Sequence, residues 1–400
     1  MKVLPVVFNP NYHINGWETS HRFPMPKYQL LYQLLVEEGI CDPKKFHQAS
    51  PASRNALERV HLPSYLDDFL AGQLDAKMMR RIGLPWSEGL VARTLASSGG
   101  SLMAGRLALE LGIACNLGGG THHAFPDYGA GFCIFNDVSV ALRQLRAESR
   151  IRRALIVDLD VHQGDGTAWI HREEPEIFTF SMHCEVNFPF RKQQSDLDIP
   201  LSEGMEDEEY IEILENHLPL LIRDHQPDLI VYNAGCDPHV DDPLGKLKLT
   251  SEGLMARDTL VFETAVQAGI PIAAVLGGGY SRDHHEIAQR HSIVVRAASN
   301  VYKNVHESGI PKSMTAIQRQ EPFTEISALL TRKSCFDIWP APAAERKKHG
   351  MWQQETDRQP RDWESISNWF MPPTPVHLNS SRQFPEKISN TEPQRKIILN

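Results

Sequence analysis

Residues 154–166 read ALIVDLDVHQGDG, an apolar run that passes directly into acids and a histidine. Side chains alternate between the two faces of an extended strand, so Asp158, Asp160 and His162 project from one face. Burying three such groups is costly unless something pairs them, and a divalent cation would do so. The pattern therefore predicts a buried strand that ends in a metal site. The alternative is a strand end whose acids are solvated.

Apolar segments elsewhere alternate between the spacing of strands and the spacing of helices. Besides residues 154–159, predicted strands cover residues 3–8, 177–182, 228–234 and 271–276, and predicted helices cover residues 26–38, 87–112, 206–224, 250–268 and 283–299. Pro5 favours a position at the edge of the sheet for the first strand. This alternation predicts the α/β class, with a largely parallel sheet covered by helices on both faces.

A second polar motif, GCDPHVDDPLG at 235–245, also directly follows a predicted strand, where ligands bind in sheets of this kind. Its Asp237 is placed to complete a metal shell with the first motif. Two carboxylates and one imidazole suit a catalytic zinc that keeps one open position. The nearby His239, Asp241 and Asp242 either contribute to the same site or form a polar turn that caps the next segment.

Adjacent histidines, His122 and His123, lie in the Gly-rich segment GGGTHHA. An imidazole with an ordinary pKa of about 6.5 suits general acid–base catalysis. Asp158 and Asp165 are the spare acids of the strand motif, so two His–Asp pairs can form. The alternative is a structural histidine pair that is hydrogen-bonded to the backbone.

A third motif, GGGY at 277–280, follows the last predicted strand. Three glycines let the backbone pass close to a ligand. Tyr280 is suited to donate its phenol to a substrate carbonyl and to stabilise the developing oxyanion.

Composition narrows the class of protein. The 400 residues are 41% hydrophobic and carry a net charge of −9, which argues against a dedicated nucleic-acid binder. The six cysteines form no CxxC pairs, which indicates reduced thiols in a cytoplasmic protein. The sequence shows neither a signal peptide nor an apolar run of membrane-spanning length. We expect a soluble protein with no direct nucleic-acid or membrane partner, and composition does not indicate an oligomeric state.

The composition changes near residue 301. The last hundred residues hold ten of the 27 prolines but only Gly309 and Gly350, and their periodicity is poor. We interpret residues 305–400 as an irregular extension of unknown role, with short helices predicted around 324–331 and 361–370. Tryptophans at 339, 352, 363 and 369 argue against complete disorder of this segment.

Together these motifs resemble the histone deacetylase superfamily, which includes bacterial acetylpolyamine amidohydrolases and acetoin-utilisation proteins. The similarity covers about residues 5–300 in the right order and is closest to class IV-like and bacterial members. It rests on HRFPMPKY (21–28), VHLPSYL (60–66), LPWSEG (84–89), GGTHHA (119–124), GAGFCIFND (129–137), DLDVHQGDGT (158–167), the Asp237 segment and GGGY.

The resemblance implies an arginase/deacetylase-like three-layer α/β/α domain over residues 1–304, with an eight-stranded, mainly parallel sheet. It implies one Zn²⁺ per chain, held by Asp160, His162 and Asp237. The catalytic group that it implies consists of two histidines, their orienting acids and a carbonyl-polarising tyrosine: His122, His123, Asp158, Asp165 and Tyr280.

The resemblance also implies residues that bind the substrate and a potassium ion. The substrate-binding residues are a glycine at the amide stem, two aromatic walls of the acyl-lysine tunnel and an arginine near an internal acetate-exit cavity: Gly131, Phe132, Phe188 and Arg22. A structural K⁺ site is expected from side chains or carbonyls of Asp158, Asp160, His162, Ser181 and Met182.

Two departures from the family pattern concern the substrate. Gly83 stands where many class I members have an aspartate that clamps the substrate backbone. Phe188 replaces the usual second aromatic, because the sequence after Ser181 differs from the family pattern. Glu185 and Arg191 nearby either contact a charged substrate or form an external salt-bridged loop.

The implied reaction is hydrolysis of an N-acyl amide, with His123 as the base. The substrate is acetyl-lysine in proteins or a small acylated amine. Two alternatives are an arginase-like di-metal ureohydrolase, which needs more ligands, and a non-catalytic protein that binds acetylated partners.

Overall fold

A computed structural model describes residues 3–17 and 21–307 of the chain. Within these residues, eight strands form one sheet in which every pairing is parallel, in the order β2-β1-β3-β8-β7-β4-β5-β6. The strands are β1 (Val6–Val7), β2 (Phe46–His47), β3 (Ile113–Asn116), β4 (Ala154–Asp158), β5 (Ile177–Cys184), β6 (Leu197–Leu201), β7 (Leu229–Asn233) and β8 (Ile272–Val275). The α/β class and the eight-stranded parallel sheet are confirmed.

Ten α-helices connect or follow these strands in the described part of the chain. They are α1 (Lys27–Glu37), α2 (Arg54–Leu57), α3 (Pro63–Leu70), α4 (Ala76–Ile82), α5 (Glu88–Leu111), α6 (Asp137–Ala147), α7 (Asp165–His171), α8 (Asp207–His225), α9 (Ser251–Gln267) and α10 (His284–Glu307). Among them, none combines a membrane-spanning length with sufficient apolar character.

The central strand β4 shows how the sheet builds two cores. Leu155 and Val157 join one apolar cluster with residues of α1, α8, α9 and α10, whereas Ala154 and Ile156 join another with residues of α5 and α6. Successive side chains point to opposite faces of a strand, so an uninterrupted apolar run is what a sheet covered on both faces requires. The result is the three-layer arrangement expected from the sequence.

Helix ends follow the capping signals of the sequence. The Ser87 side chain accepts a hydrogen bond from the Leu90 amide and begins α5, and Gly112 ends it with a φ of 94°. Thr250 caps α9 by accepting from the Gly253 amide. These polar caps satisfy amide groups that have no partner within the helix.

The expectation that residues 3–8 form an edge strand is wrong. β1 lies between β2 and β3, and only Val6 and Val7 are paired in it. Pro5 precedes the paired residues, and its carbonyl accepts from the Cys115 amide, so its missing N–H removes no bond of the sheet.

The predicted domain boundary at residue 304 falls inside α10, which continues to Glu307. The rest of the predicted extension, with its short helices and four tryptophans, lies outside the described residues.

Candidate functional site

Three adjacent strands bring the predicted motifs to one edge of the sheet. β8, β7 and β4 are neighbours, and their carboxyl ends lead into Gly277–Tyr280, Asp237 and Asp160–His162, respectively. Both pairings between these strands are parallel, so these segments meet at the same end of the sheet.

Asp160, His162 and Asp237 converge on one point. Each offers a ligand atom within 4.8 Å of the others, and no other group of three or more His, Cys, Asp or Glu residues in 3–17 and 21–307 does so. His162 Nδ1 lies 3.0 Å from Asp160 Oδ1 and 3.1 Å from Asp237 Oδ2. All three residues are buried. The structure thus brings together the three predicted metal ligands.

Backbone amides orient both carboxylates. The Val161 amide donates to Asp237 Oδ1 at 2.9 Å, and the Gly278 amide donates to Asp160 Oδ2 at 2.6 Å. Each carboxylate therefore keeps its other oxygen toward His162 Nδ1. Such outer contacts fix the orientation of metal ligands.

The donor set fits one divalent cation. Burial and, after it, the neighbouring Asp160 carboxylate together raise the pKa of Asp237 to about 6. Two carboxylates are unfavourable in so small a buried volume unless a positive charge compensates them. Two oxygens and one nitrogen leave room for a water or substrate on Zn²⁺.

Two glycines leave space for the carboxylates. A Cβ at Gly278 would lie 2.1 Å from Asp237 Oδ2, and a Cβ at Gly235 would lie 2.5 Å from Asp160 Oδ2. The backbone at these two glycines therefore approaches the metal-ligating carboxylates so closely that no side chain fits. For the GGGY motif, this close approach to a polar centre is the feature that the sequence predicted.

His122 and His123 lie beside the Asp-His-Asp triad, with their ring centroids 4.1 Å apart. His122 Nδ1 is 2.8 Å from Asp158 Oδ2, and His123 Nδ1 is 2.7 Å from Asp165 Oδ1. Both acids accept at Nδ1, which leaves each Nε2 as the atom that can hold or release a proton. The two His–Asp pairs drawn from the sequence are both present in the structure.

The two histidines have opposite electrostatic settings. Burial alone would lower the pKa of His122, but Asp158 and Asp160 overcome it and raise that pKa to about 9. Burial and the neighbouring His122 lower the pKa of His123 to about 4, although Asp165 opposes them. These opposite shifts favour the neutral form of His123 and the protonated form of His122.

Tyr280 is buried next to the metal triad and is held by its backbone. Its amide donates to Asp242 Oδ2 at 2.7 Å, and its ring packs against Phe132 with centroids 5.7 Å apart. Burial, together with the charges of Asp237 and Asp160, raises the pKa of the Tyr280 phenol well above its usual range. The phenol therefore keeps its proton and is available as a hydrogen-bond donor.

The GCDPHVDDPLG segment forms a polar turn and also contributes to the site. His239 Nδ1 accepts from the Asp241 amide at 3.1 Å, and His239 Nε2 lies 3.2 Å from Ser251 Oγ at the start of α9. His239 and Asp241 therefore form the polar turn. Asp242 instead acts at the site, because it holds the Tyr280 amide, and sequence reasoning missed this link.

The predicted substrate residues Gly131, Phe132 and Phe188 border the histidine pair. A Cβ at Gly131 would lie 2.8 Å from His123 Cδ2 and 3.2 Å from Phe188 Cε1. Gly131 and Phe132 have φ angles of 53° and 66°, so this loop turns sharply beside His123. The ring of Phe188 packs edge-on against His123 at 4.9 Å. These contacts agree with a narrow apolar passage to the histidines.

Arg22, which the resemblance places near an internal cavity, has an exposed side chain, and its role stays a prediction. The buried cation nearest the GGGY motif is instead Lys27, whose Nζ donates to the Gly279 carbonyl at 3.1 Å and lies 3.0 Å from His291 Nε2. Sequence reasoning missed Lys27, although it stands in the HRFPMPKY motif, because a lysine on a helix is usually exposed.

The remaining predicted positions are located as follows. Ser181 lies opposite Asp158 in the β4–β5 pairing, and its Oγ is 2.9 Å from His183 Nδ1. The potassium site that includes Ser181 and Met182 stays a prediction. Glu185 and Arg191 are both exposed.

Comparison with known proteins agrees with this geometry. The sequence profile of the histone deacetylase domain matches residues 21–297. An uncharacterized protein of Picosynechococcus sp. is 52% identical over 75% of this chain and 99% of its own length. Histone deacetylase 2 of Arabidopsis thaliana is 30% identical over 70% of this chain and 75% of its own length. Acetoin utilization protein AcuC of Bacillus subtilis is 28% identical over 68% of this chain and 76% of its own length.

Proposed function

The chain belongs to the histone deacetylase family, and on that premise we propose that it is a zinc-dependent amidohydrolase that removes an acetyl or other acyl group from an acylated amine. The observation that carries the proposal is the cluster of two His–Asp pairs, at 2.8 and 2.7 Å, beside the triad Asp160, His162 and Asp237. Metal ligands alone would support only a divalent cation site. Paired histidines beside them add the proton transfers that amide hydrolysis requires.

Zinc bound at the triad would polarise the substrate carbonyl and activate a water molecule near neutral pH. His123 accepts the proton of that water at Nε2, since Asp165 holds its Nδ1 proton. Its low pKa keeps it in the neutral form that can act as a base. His122 is held at Nδ1 by Asp158, which leaves its Nε2 beside the reaction as a second site for a proton.

Tyr280 completes the site. Its phenol donates a hydrogen bond to the carbonyl oxygen as negative charge develops there, and its raised pKa prevents loss of the proton. The proton collected by His123 then passes to the leaving amine. The products are a carboxylate and a free amine.

The substrate is acetyl-lysine in a protein or a small acylated amine. The buried aromatic Phe132 and the half-buried Phe188 suit an apolar linker between the reacting amide and the rest of the molecule. A cytoplasmic location, inferred from the reduced cysteines, stays a prediction.

Acetate release from a panel of acylated amines tests this function. The zinc-loaded protein is assayed with acetyl-lysine peptides, acetylpolyamines and longer acyl-lysines, beside a Tyr280→Phe variant. We expect turnover of at least one class and a loss of about 10²–10³ in kcat for the variant. A variant that retains full activity would remove Tyr280 from the mechanism. Zinc binding without acyl release from any substrate would favour a non-catalytic binding protein.

A further inference from the structure

Arg257 is a fully buried arginine on α9 that lies behind the metal triad rather than in it. It is 0% exposed and is the largest side chain of the described residues with an exposed fraction below 2%. A buried guanidinium is costly unless its donors are all directed at acceptors. The partners of Arg257 therefore indicate why it is placed there.

One nitrogen of Arg257 joins the two segments that supply the metal ligands. Nη1 donates to the Leu159 carbonyl at 3.2 Å and to the Gly235 carbonyl at 2.8 Å. Leu159 immediately precedes Asp160, and Gly235 lies two residues before Asp237. Both carbonyls lie just beyond the ends of neighbouring strands, β4 and β7.

The rest of the guanidinium is anchored on Asp258. Nε and Nη2 lie 2.9 and 2.8 Å from Asp258 Oδ1, which also accepts from the Tyr232 hydroxyl at 2.5 Å. Asp258 is itself buried. The planar fork of arginine is thus fixed on one side by this carboxylate, and its third nitrogen has little freedom to move.

The two ligand segments are also in direct contact, so their separation matters. A Cβ at Gly235 would lie 2.8 Å from the Asp160 Cα and 2.5 Å from its Oδ2. A small change in the distance between the Leu159 and Gly235 carbonyls would therefore displace one carboxylate relative to the other. Metal affinity depends on such positioning by outer contacts.

We infer that Arg257 is a positioning residue of the metal centre, which sets the spacing of Asp160 and Asp237 by holding the Leu159 and Gly235 carbonyls on one nitrogen. This inference rests on the proposed zinc site. It assigns to α9, which supplies no metal ligand, the task of keeping the two ligand-bearing segments in register.

Arg257→Lys tests the inference by keeping the positive charge and removing the fork. A lysine ammonium is a single point and cannot contact Asp258 and both carbonyls together. The matched control is Phe262→Leu on the same helix. Phe262 is buried and packs on Tyr232 with centroids 6.0 Å apart, so the control weakens the packing of α9 beside the same cluster while removing none of the polar atoms that hold Arg257.

Zinc affinity of the metal-free proteins is measured by competition with a chelator, together with each melting temperature. We expect R257K to raise the zinc dissociation constant about 10- to 100-fold, and F262L to change it less than about 3-fold at a comparable loss of melting temperature. With zinc saturating, R257K should regain most of its kcat.

Wild-type affinity in R257K, or losses of affinity in both variants that follow their melting temperatures, would overturn the inference. If R257K does not fold, the double substitution R257Q/D258N removes both buried charges together and is titrated in the same way. Failure of the wild-type protein to bind zinc would instead contradict the proposed function, so the two failures are distinguishable.

Discussion

Gly278 illustrates, at the scale of one residue, how the absence of a side chain shapes the site. We predict that Gly278→Ala weakens zinc binding at least about 10-fold, because its Cβ would stand 2.1 Å from Asp237 Oδ2 and 2.7 Å from Asp160 Oδ2. Zinc titration of the metal-free variant measures this. Gly39→Ala is the control, since a Cβ at Gly39 has nothing within 4 Å and its only cost is the backbone strain of a φ of 68°, which Gly278 does not have. Equal zinc affinity in both variants would contradict the prediction.

Asp242 controls the position of Tyr280 through the backbone. Its Oδ2 accepts from the Tyr280 amide, and its Oδ1 accepts from the Leu244 and Gly245 amides at 2.9 and 3.1 Å. Asparagine offers only one acceptor oxygen, so Asp242→Asn must turn an NH₂ group toward one of these amides. We predict a fall of about 10² in kcat with little change in KM, as expected for a displaced catalytic group. Steady-state kinetics checks this, and an unchanged kcat would refute it.

Burial of His61 makes the folding stability depend on pH. Burial lowers the pKa of His61 to about 3, and its Nε2 accepts from the Asn136 amide at 2.9 Å. The unfolded chain binds a proton below about pH 6.5 while the folded chain does not, so stability falls as the pH falls from about 6.5 toward 3.

At pH 4.5, protonation of His61 in the unfolded chain should lower the free energy of unfolding by about 2–3 kcal/mol relative to pH 7. We predict that His61→Gln is less stable than wild type at pH 7 but loses less stability on acidification. Urea unfolding at pH 7 and pH 4.5 measures both quantities. Parallel losses in the two proteins would show that His61 does not titrate in this way.

Among the elements, α5 packs closely against its neighbours through small residues. A Cβ at Gly99 would lie 1.9 Å from the Ser50 carbonyl oxygen and 3.0 Å from the Ala52 amide nitrogen, so the helix packs directly on the backbone of these residues. We predict that Gly99→Ala destabilises the protein by about 1–3 kcal/mol through overpacking. Glu110→Ala on the exposed face of α5 is the control, because the surface ion pair of Glu110 with Arg150 contributes at most about 1 kcal/mol. Thermal unfolding compares the two, and equal melting temperatures would contradict the prediction.

The strands and helices that the sequence predicts best are those with the longest apolar stretches. Buried strands such as β4 and β7 and long helices such as α5 and α9 have enough periodic residues to be recognised within about two positions. β3 follows α5 after a single glycine and has only four residues, which are too few to show the period of a strand. β6 lies at the other edge of the sheet and has mixed burial, and β2 has two residues, so neither shows a clear pattern.

At the scale of the whole molecule, the sequence predicted the metal triad, both His–Asp pairs and Tyr280, because each lies directly after a strand or in a Gly-rich loop. It did not predict Lys27 or Arg257. Both are charged residues on helices, and sequence patterns place such residues in solvent unless the fold supplies buried partners. Three of their partners, the Gly279, Leu159 and Gly235 carbonyls, are backbone atoms and leave no trace in the sequence.

Metal binding should also stabilise the whole fold. Zinc at about 100 times its dissociation constant stabilises a protein that binds it only when folded by about 2.7 kcal/mol. We predict that a chelator lowers the melting temperature of the zinc-loaded protein and that Asp237→Asn removes this response. Scanning calorimetry with and without chelator measures it. A response that is equal in wild type and Asp237→Asn would place the stabilising metal elsewhere.

The most direct test of the central claim is a titration of the metal-free protein with zinc while acyl release from the best substrate of the panel is followed. If the protein is a mononuclear amidohydrolase, we expect activity to rise linearly and to reach its plateau at one zinc per chain. A plateau at two metals per chain, as in a di-metal ureohydrolase, or no acyl release at any zinc concentration would contradict the account.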